Sequence, residues 1–473
     1  MRRNNDSTYE NKVDALDVLF VNPSLDWKLD KQTKISQRVQ NDIPNQETPH
    51  IGIAYLLASA KKQGITAKYF DMVADELSVL QLVELVNKTK PSLIGFTAFS
   101  VQANVAGAIA ESLKHEVSGL VICVGGCHAS ALPQRTLEEF PAFDFVVCGE
   151  GEKILSRIIE ADGDPALLSK IQGVVTRGKT DVSWNPVSDV DSLPFPAWEE
   201  FNLDKYPGTY PHRTKRELPM VAGRGCPYRC VFCCRALGDV PRLRSVLSVV
   251  AEIEYNIERF GCESIAFLDE TFMLKKEWAK EFFETLIRRG INRKITWSCS
   301  TRVSQTSPEL FQRMKEAGCY YIFFGLESAN NETLKTIKKN ITVEDIYNAV
   351  KWSKQAGIIP VGAFIIGLPG DTEDHVRQAI DLGKKLNLYS ITFPIAVPFP
   401  GTDLRKWAEK NQYGMKILSD NWARYGKQGP GVMESVDLSW NRRKELQQIA
   451  YSYFPKQNMD EYLVHQRKLG YGF

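Results

Sequence analysis

The sequence predicts an α/β protein: a Rossmann-like parallel-sheet domain, then a partial, six-unit β/α barrel, then a small, mainly helical C-terminal region. Three observations predict it. Short apolar, β-branched runs alternate with amphipathic helical stretches. The alternation lapses once, in a proline-rich stretch containing Pro186, Pro194, Pro196, Pro207 and Pro211. The second series holds six strand–helix units, fewer than the eight units and about 250 residues of a closed barrel.

The first series opens with the buried-strand pattern Leu16–Val21. Asn22-Pro23-Ser24 breaks it, and a polar loop follows to Thr48. Thr48-Pro49 reads as an N-cap with proline at the first helical position, starting a helix over Ile51–Lys62 that stops at Gly64. Further strands are expected at Thr66–Phe70, Leu93–Thr97, Leu120–Val124 and Phe143–Cys148, with helices such as Leu77–Val86 and Asn104–His115 between them. The second series predicts strands at Met220–Ala222, Ser264–Leu268, Ile295–Cys299, Tyr320–Gly325, Val361–Ile366 and Tyr389–Phe393. Its helices are Ser245–Phe260, Lys276–Arg288, Pro308–Ala317, Val343–Ala356 and Glu373–Leu386. The expected boundaries are 14–165 for the first domain, 166–215 for a linker, 216–403 for the partial barrel and 404–473 for the C-terminal region.

Composition narrows the function. With 473 residues, 43% hydrophobic and 25% charged, the chain is neither disordered nor fibrous. Lys+Arg 59 against Asp+Glu 57 leaves a net charge of +2, so no bulk basic field marks a nucleic-acid binder. No apolar run approaches the ~18–20 residues that span a bilayer. The polar start Met1–Asp6 lacks a signal-peptide pattern, and a cytoplasmic location is expected.

The ten cysteines hold the main clue. Cys226, Cys230, Cys233 and Cys234 are packed together after the first strand of the second series. Three thiolates on a cubane iron–sulfur cluster leave one iron open to a substrate or cofactor. The competing reading, a structural zinc site completed by Cys234, expects two separated cysteine pairs, and no second pair follows. Cys234 reads better as a small buried residue.

With Phe232 before its last cysteine, the run Cys226-Pro-Tyr-Arg-Cys230-Val-Phe-Cys233 resembles the signature of radical S-adenosylmethionine (SAM) enzymes. The segments Gly223–Pro227, Phe267–Phe272, Thr301–Val303, Gly325–Ser328, Ile366–Gly370 and Phe399–Thr402 are similar to segments of that family. The resemblance implies a four-iron four-sulfur cluster on Cys226, Cys230 and Cys233, with SAM on the open iron and reductive cleavage to a deoxyadenosyl radical. It implies that Phe232 lies against adenine, that Arg302 and Glu327 hold the ribose or methionine part, that Gly325 also lies against the cofactor, and that Asp269 faces the site. Without the resemblance, Arg302 and Glu327 read as a strand-end salt bridge or solvated charge, and Gly367–Gly370 as a tight turn.

The first domain resembles the cobalamin-binding domain of the cobalamin-dependent radical SAM subfamily. The strand ends of such sheets collect ligands. Here they carry Asn22, Pro23, Ser24, Thr97, Ser100, Gly125, Gly126, Cys127, His128, Gly149, Glu150 and Gly151. The glycines are expected to admit a flat ligand, and Thr97 and Ser100 to bond its amides or nucleotide tail. The Asp-x-His-x-x-Gly loop of many cobalamin proteins is absent after the first strand, so no imidazole is expected below cobalt. For His128 a hydrogen-bonding role is expected, and for His50 a structural or ligand-edge role.

The resemblance implies methylation of an unactivated carbon, or a phosphorus centre, of a small molecule. One SAM would remethylate cobalamin and another would supply the radical, with an external low-potential donor such as flavodoxin or ferredoxin. The runner-up is ring contraction, cyclisation or oxidation without methyl transfer. A methylthiotransferase-like enzyme would use Cys123, Cys127 and Cys148 for a second cluster and a basic C-terminal RNA-binding domain, neither of which fits this pattern. A non-catalytic iron–sulfur carrier is disfavoured by Arg302 and Glu327. Arg442-Arg443-Lys444 reads as a solvated face.

Overall fold

The computed structural model describes residues 15–24, 48–179, 182, 184–206, 208, 216–426, 431–455, 457 and 459–472. The polar loop between Ser24 and Thr48 lies outside the described residues.

The first domain runs β1 (Val18–Asn22), α1 (Ile51–Lys62), β2 (Ala67–Asp71), α2 (Val79–Thr89), β3 (Leu93–Thr97), α3 (Ala103–Glu116), β4 (Ile122–Gly125), α4 (Cys127–Ala131), α5 (Pro133–Glu139), β5 (Phe145–Val147), α6 (Leu155–Glu160), α7 (Pro165–Leu168) and β6 (Val174–Thr176). The sheet order is β2-β1-β3-β4-β5-β6. The first five strands are parallel, and every residue of β1 is buried, as covering both faces requires. The strand order reverses between β1 and β3, where a crevice opens at the carboxyl ends.

Two expectations are corrected here. The N-cap of α1 is His50, not Thr48: its Nδ1 accepts from the Ile53 N–H at 3.3 Å. Strand β6 lies inside the stretch expected as linker and closes the sheet edge antiparallel to β5. At three residues it is too short to show a period.

The second series runs β7 (Glu217–Met220), β8 (Gly223–Arg224), β9 (Arg242–Leu243), α8 (Val246–Phe260), β10 (Ser264–Phe267), α9 (Lys276–Arg288), β11 (Thr296–Thr301), α10 (Pro308–Glu316), β12 (Cys319–Glu327), α11 (Asn331–Thr336), α12 (Val343–Gln355), β13 (Ile359–Phe364), α13 (Glu373–Leu386) and β14 (Ser390–Thr392). Six parallel strands stand in the order β14-β13-β12-β11-β10-β7, an open half-barrel. Helix starts follow local chemistry: Ser245, Ser307, Thr342 and Thr372 each cap the next helix through the side-chain oxygen.

The C-terminal region adds α14 (Asp403–Glu409), an antiparallel pair β15 (Met415–Ile417) and β16 (Met433–Ser435), α15 (Trp440–Tyr453) and α16 (Met459–Lys468). Arg443 corrects the solvated-face reading. It is 0% exposed and donates to the carbonyls of Leu438 and Met433 and to Ser435 Oγ. Burial pulls its guanidinium down to about 10.

One apolar core runs through both sheets. Phe20, Ile53 and Leu57 of the first domain join Leu218, Ile265 and Phe267 of the second, with Ala197, Trp198 and Phe201 of the connector between them. Among the described residues no helix is long and apolar enough to cross a membrane.

Candidate active site

Strand β7 delivers the chain to the mouth of the half-barrel, and β8 and β9 pair to fix the base of the cysteine loop. Inside the loop the Cys233 N–H donates to the Cys230 carbonyl at 3.1 Å, and the Cys226 N–H to the Gly238 carbonyl at 3.1 Å. The Val231 N–H reaches the Ile337 carbonyl, and the Leu404 N–H the Val231 carbonyl, so barrel and C-terminal region both hold the loop. Cys230 is buried and Cys233 exposed. The Cys233 thiol donates to the Cys230 sulfur, with Lys339 and Arg302 beside it; together they draw the Cys230 thiol down to about 6.

Among the described residues no set of three or more His, Cys, Asp or Glu side chains stands close enough to hold a single metal ion. The zinc reading would need four thiolates converging on one ion. A cubane cluster binds its thiolates at separate corners.

Arg302, at the end of β11, places Nη1 3.4 Å from Cys230 Sγ and its guanidinium 3.8 Å over the Tyr228 ring, while Nη2 bonds the Lys339 carbonyl. Its Nε is buried without a hydrogen-bond partner, a donor left for a ligand. Glu327 ends β12 at φ 64, a left-handed conformation rare for a non-glycine residue and a common mark of a functional position. Its carboxylate pairs with Lys339 Nζ at 2.6 Å, both side chains buried. A Cβ at Gly325 would overlap the Glu327 carboxylate, so only glycine fits beside this pair. Phe232 is half-buried, packed against the apolar cluster of Ala396, Leu404, Ala408, Met415 and Met433. Asp269 is the correction here: its carboxylate is spent on the Ala222 N–H (3.0 Å) and Gly223 N–H (2.7 Å), bracing the start of the cysteine loop. Burial pushes it up to about 7.

A second cavity, about 1050 Å³, opens at the carboxyl ends of the first sheet beside α1. Thr97, Gly125, Gly126, Gly149, Glu150 and Gly151 line it, together with Val221, Arg224 and Leu237 of the second domain. The cysteine loop and the first-domain crevice thus share a wall. His50 lines it too. Its Nδ1 is spent as the helix cap, so Nε2 carries the proton toward Thr97 Oγ1 at 3.4 Å, and burial pulls the imidazole down to about 4.

The other expected cofactor residues do not line this cavity. Asn22 is buried, donating to Asp71 Oδ1 and accepting from Gln102, which also donates to the Pro23 carbonyl; Ser24 follows outside the cavity wall. Ser100, Cys127 and His128 point toward the C-terminal region. His128 Nδ1 lies 3.1 Å from Ser100 Oγ, and its ring meets Trp422 edge-on at 4.8 Å. Glu150 lines the cavity but is held by the protein: its carboxylate binds Arg224 at 2.8 Å and Arg242 at 2.5 Å and accepts from the Val187 N–H. Arg224 also binds Glu152 at 2.8 Å. Arg224, Arg242 and Lys339 escaped the sequence reading, because nothing local marks a charge whose partner is distant in the chain.

The glycines separate by cause. Gly126 has φ 95, and a Cβ there would sit 2.9 Å from the Ala98 carbonyl oxygen. At Gly149 a Cβ would overlap the Trp184 indole. At Gly125 the nearest atom to a Cβ is 3.6 Å away, ordinary contact. Gly125→Leu therefore fills the cavity without straining the backbone. It is expected to cut cobalamin retention by roughly tenfold or more while leaving iron–sulfur absorption unchanged. Unchanged retention after desalting would place the corrin elsewhere. Gly126→Leu is expected to lower stability as well.

His128 yields a pH prediction. It is 2% exposed, and burial pulls its imidazole down to about 4, with Glu139 opposing and Arg135 and Arg405 assisting. The unfolded chain takes its proton near the ordinary value of 6.5. The native state therefore loses stability as pH falls from about 6.5 toward 4, and gains nothing from His128 above that window. In urea unfolding, His128→Gln is expected to flatten this part of the pH profile; an unaltered slope would assign the acid sensitivity to other groups.

The fold and the site define a class: an iron–sulfur half-barrel open to SAM, joined to a corrinoid-type parallel-sheet domain. The comparisons agree. Residues 220–383 match the radical SAM superfamily model and residues 43–159 the B12 binding domain model. An uncharacterized methyltransferase of Pyrococcus horikoshii, PH0819, is 32% identical over 415 residues, covering 86% of this chain and 87% of that protein. An anaerobic magnesium-protoporphyrin IX monomethyl ester cyclase of Cereibacter sphaeroides is 28% identical over 368 residues, 75% of this chain and 60% of the cyclase. The solved structure of the radical SAM methyltransferase TsrM from Kitasatospora setae, with cobalamin and a 4Fe-4S cluster bound, superposes at TM-score 0.69 and 18% identity, covering 93% of this chain and 89% of that one. The chain belongs to the cobalamin-dependent radical SAM family.

Proposed function

We propose that this chain transfers a methyl group from SAM to an unactivated carbon, or to a phosphorus centre, of a small molecule. The observation that carries this reading is the shared wall: Val221, Arg224 and Leu237, which flank the cysteines, also line the first-domain cavity. When bound, the cluster with SAM supplies a carbon-centred radical and cobalamin supplies a transferable methyl group.

The protein's own groups do the holding. Cys226, Cys230 and Cys233 provide three thiolates. Arg302 offers its unspent Nε to SAM, with Glu327 alongside. Asp269 pins the loop backbone. His50, with both ring nitrogens spoken for, stays neutral at the cavity edge rather than reaching for a metal. The half-barrel and first sheet together exclude water from the space between them, which protects a reactive intermediate.

In this reading the electron comes from an external flavodoxin or ferredoxin-type donor. All ten cysteines are free, which supports a reducing, cytoplasmic setting.

The test is anaerobic incubation of cluster- and cobalamin-loaded protein with reductant and SAM carrying a labelled methyl group. S-Adenosylhomocysteine and label in a small-molecule product are expected. Deoxyadenosine and methionine formed with no S-adenosylhomocysteine and no labelled product would overturn methyl transfer in favour of ring contraction, cyclisation or oxidation.

A further inference from the structure

A separate cavity of about 780 Å³ lies on the other side of the cysteine loop. Its wall has three origins. Phe99, Val101 and Cys127 come from the carboxyl ends of β3 and β4. Cys234 and Ala236 come from the cysteine loop itself. Phe399 and Tyr425 come from the segments after β14 and after β15. Ala236 faces this space and its chain neighbour Leu237 faces the first-domain cavity, so the loop is a partition between the two.

The chemistry of the wall is narrow. Among the described residues that line it there is no Asp, Glu, Lys, Arg or His. The hydroxyls present are already used. Ser100 Oγ bonds His128 at 3.1 Å. The Tyr425 hydroxyl donates to the Ser419 carbonyl at 3.0 Å and accepts from Arg405 at 2.8 Å. Burial pushes the Cys127 thiol up to about 12, so it too is neutral. An ionised group entering this space would lose its water without gaining a counter-charge. An apolar group would lose nothing and gain contact with three aromatic rings.

We propose that this cavity receives a part of the substrate away from the reacting atom, and that this part is an uncharged aromatic or hydrocarbon group. The assignment rests on the methyltransferase reading above and adds the substrate class. Any phosphate, carboxylate or ammonium on the substrate stays outside the cavity.

The test uses protein loaded with cluster and cobalamin, so that the larger cavity is filled. Equilibrium dialysis compares 2-naphthalenemethanol with 2-naphthoate, of like shape but anionic. Saturable binding of the alcohol is expected, tighter than the naphthoate by roughly tenfold or more. Ala236→Lys, which adds a cation to the wall, is expected to reverse the preference. Val101→Phe, which occupies space from the opposite wall, is expected to weaken the alcohol by a similar factor and serves if the lysine variant does not fold. Equal or tighter binding of naphthoate by the native protein, absence of saturable alcohol binding, or a preference unmoved by both variants would overturn the proposal. Cluster absorption, cobalamin retention and S-adenosylhomocysteine formation are read on the same samples. Their loss counts against the methyltransferase reading, whereas unselective probe binding with all three intact counts against the substrate class alone.

Discussion

Cys230→Ala is expected to lose iron–sulfur absorption and to bring reductive SAM cleavage down to the level of a buffer blank. Cys230 is the buried member of the three thiols, the one that Arg302 touches and toward which the Cys233 thiol donates. Removing it leaves two thiolates for a cluster that needs at least three here, and leaves the Arg302 guanidinium facing a methyl group. No neighbouring sulfur makes up the loss, since Cys234 lines the cavity on the far side of the loop. Cys234→Ala is accordingly expected to keep the cluster absorption. Cleavage retained by Cys230→Ala would detach the loop from the chemistry.

The second large effect is expected at Glu150→Leu. The native carboxylate is 2% exposed and joins Arg224 and Arg242, which are 6% and 11% exposed. Leucine matches its bulk roughly but leaves Arg242 without its carboxylate and Arg224 with Glu152 alone between the domains. Breaking a buried pair from one side costs about 3–5 kcal/mol, a large part of a total stability of about 5–15 kcal/mol. The apparent melting temperature is expected to fall by on the order of 10 °C. A fall of less than about 2 °C would mean that water reaches these charges. Because Arg224 lines the first-domain cavity, where cobalamin is proposed to bind, Glu150→Leu is expected to lower cobalamin retention too, a loss that Glu150→Gln, which keeps a hydrogen-bond acceptor, should reduce.

The fold was legible where burial writes itself into consecutive residues. Leu93–Thr97, Lys276–Arg288 and Glu373–Leu386 carry the same bounds in sequence and structure, because a strand covered on both faces is a solid apolar run and an amphipathic helix shows its period. Strand β6 was hidden by its brevity. The cysteines stand out in the sequence by their spacing. The charged residues around them do not. Lys339 follows Lys338 and looks like solvent-facing charge until it meets Glu327; Arg443 sits in a basic run and ends in the core. Glu150 looked like a ligand at a strand end, and so does any carboxylate there until its arginines, from another domain, are in place. Asp269 reached the expected end of β10 but turned onto its neighbours' backbone rather than into the site. Pattern fixes position; the partner, set by tertiary packing, fixes the role.

The apolar cavity is walled by residues as far apart in the chain as Phe99 and Tyr425. Contacts of such long range close a large loop of chain, so this space exists only where segments far apart in the sequence have docked. A ribosome-bound chain that has completed its first sheet and its cysteine loop still lacks the lid supplied by the segment around Tyr425. The chamber depends on the C-terminal region: without Phe399 and Tyr425 its wall is incomplete even where both sheets are formed. The chamber is in this way a property of the whole tertiary structure rather than of either sheet alone.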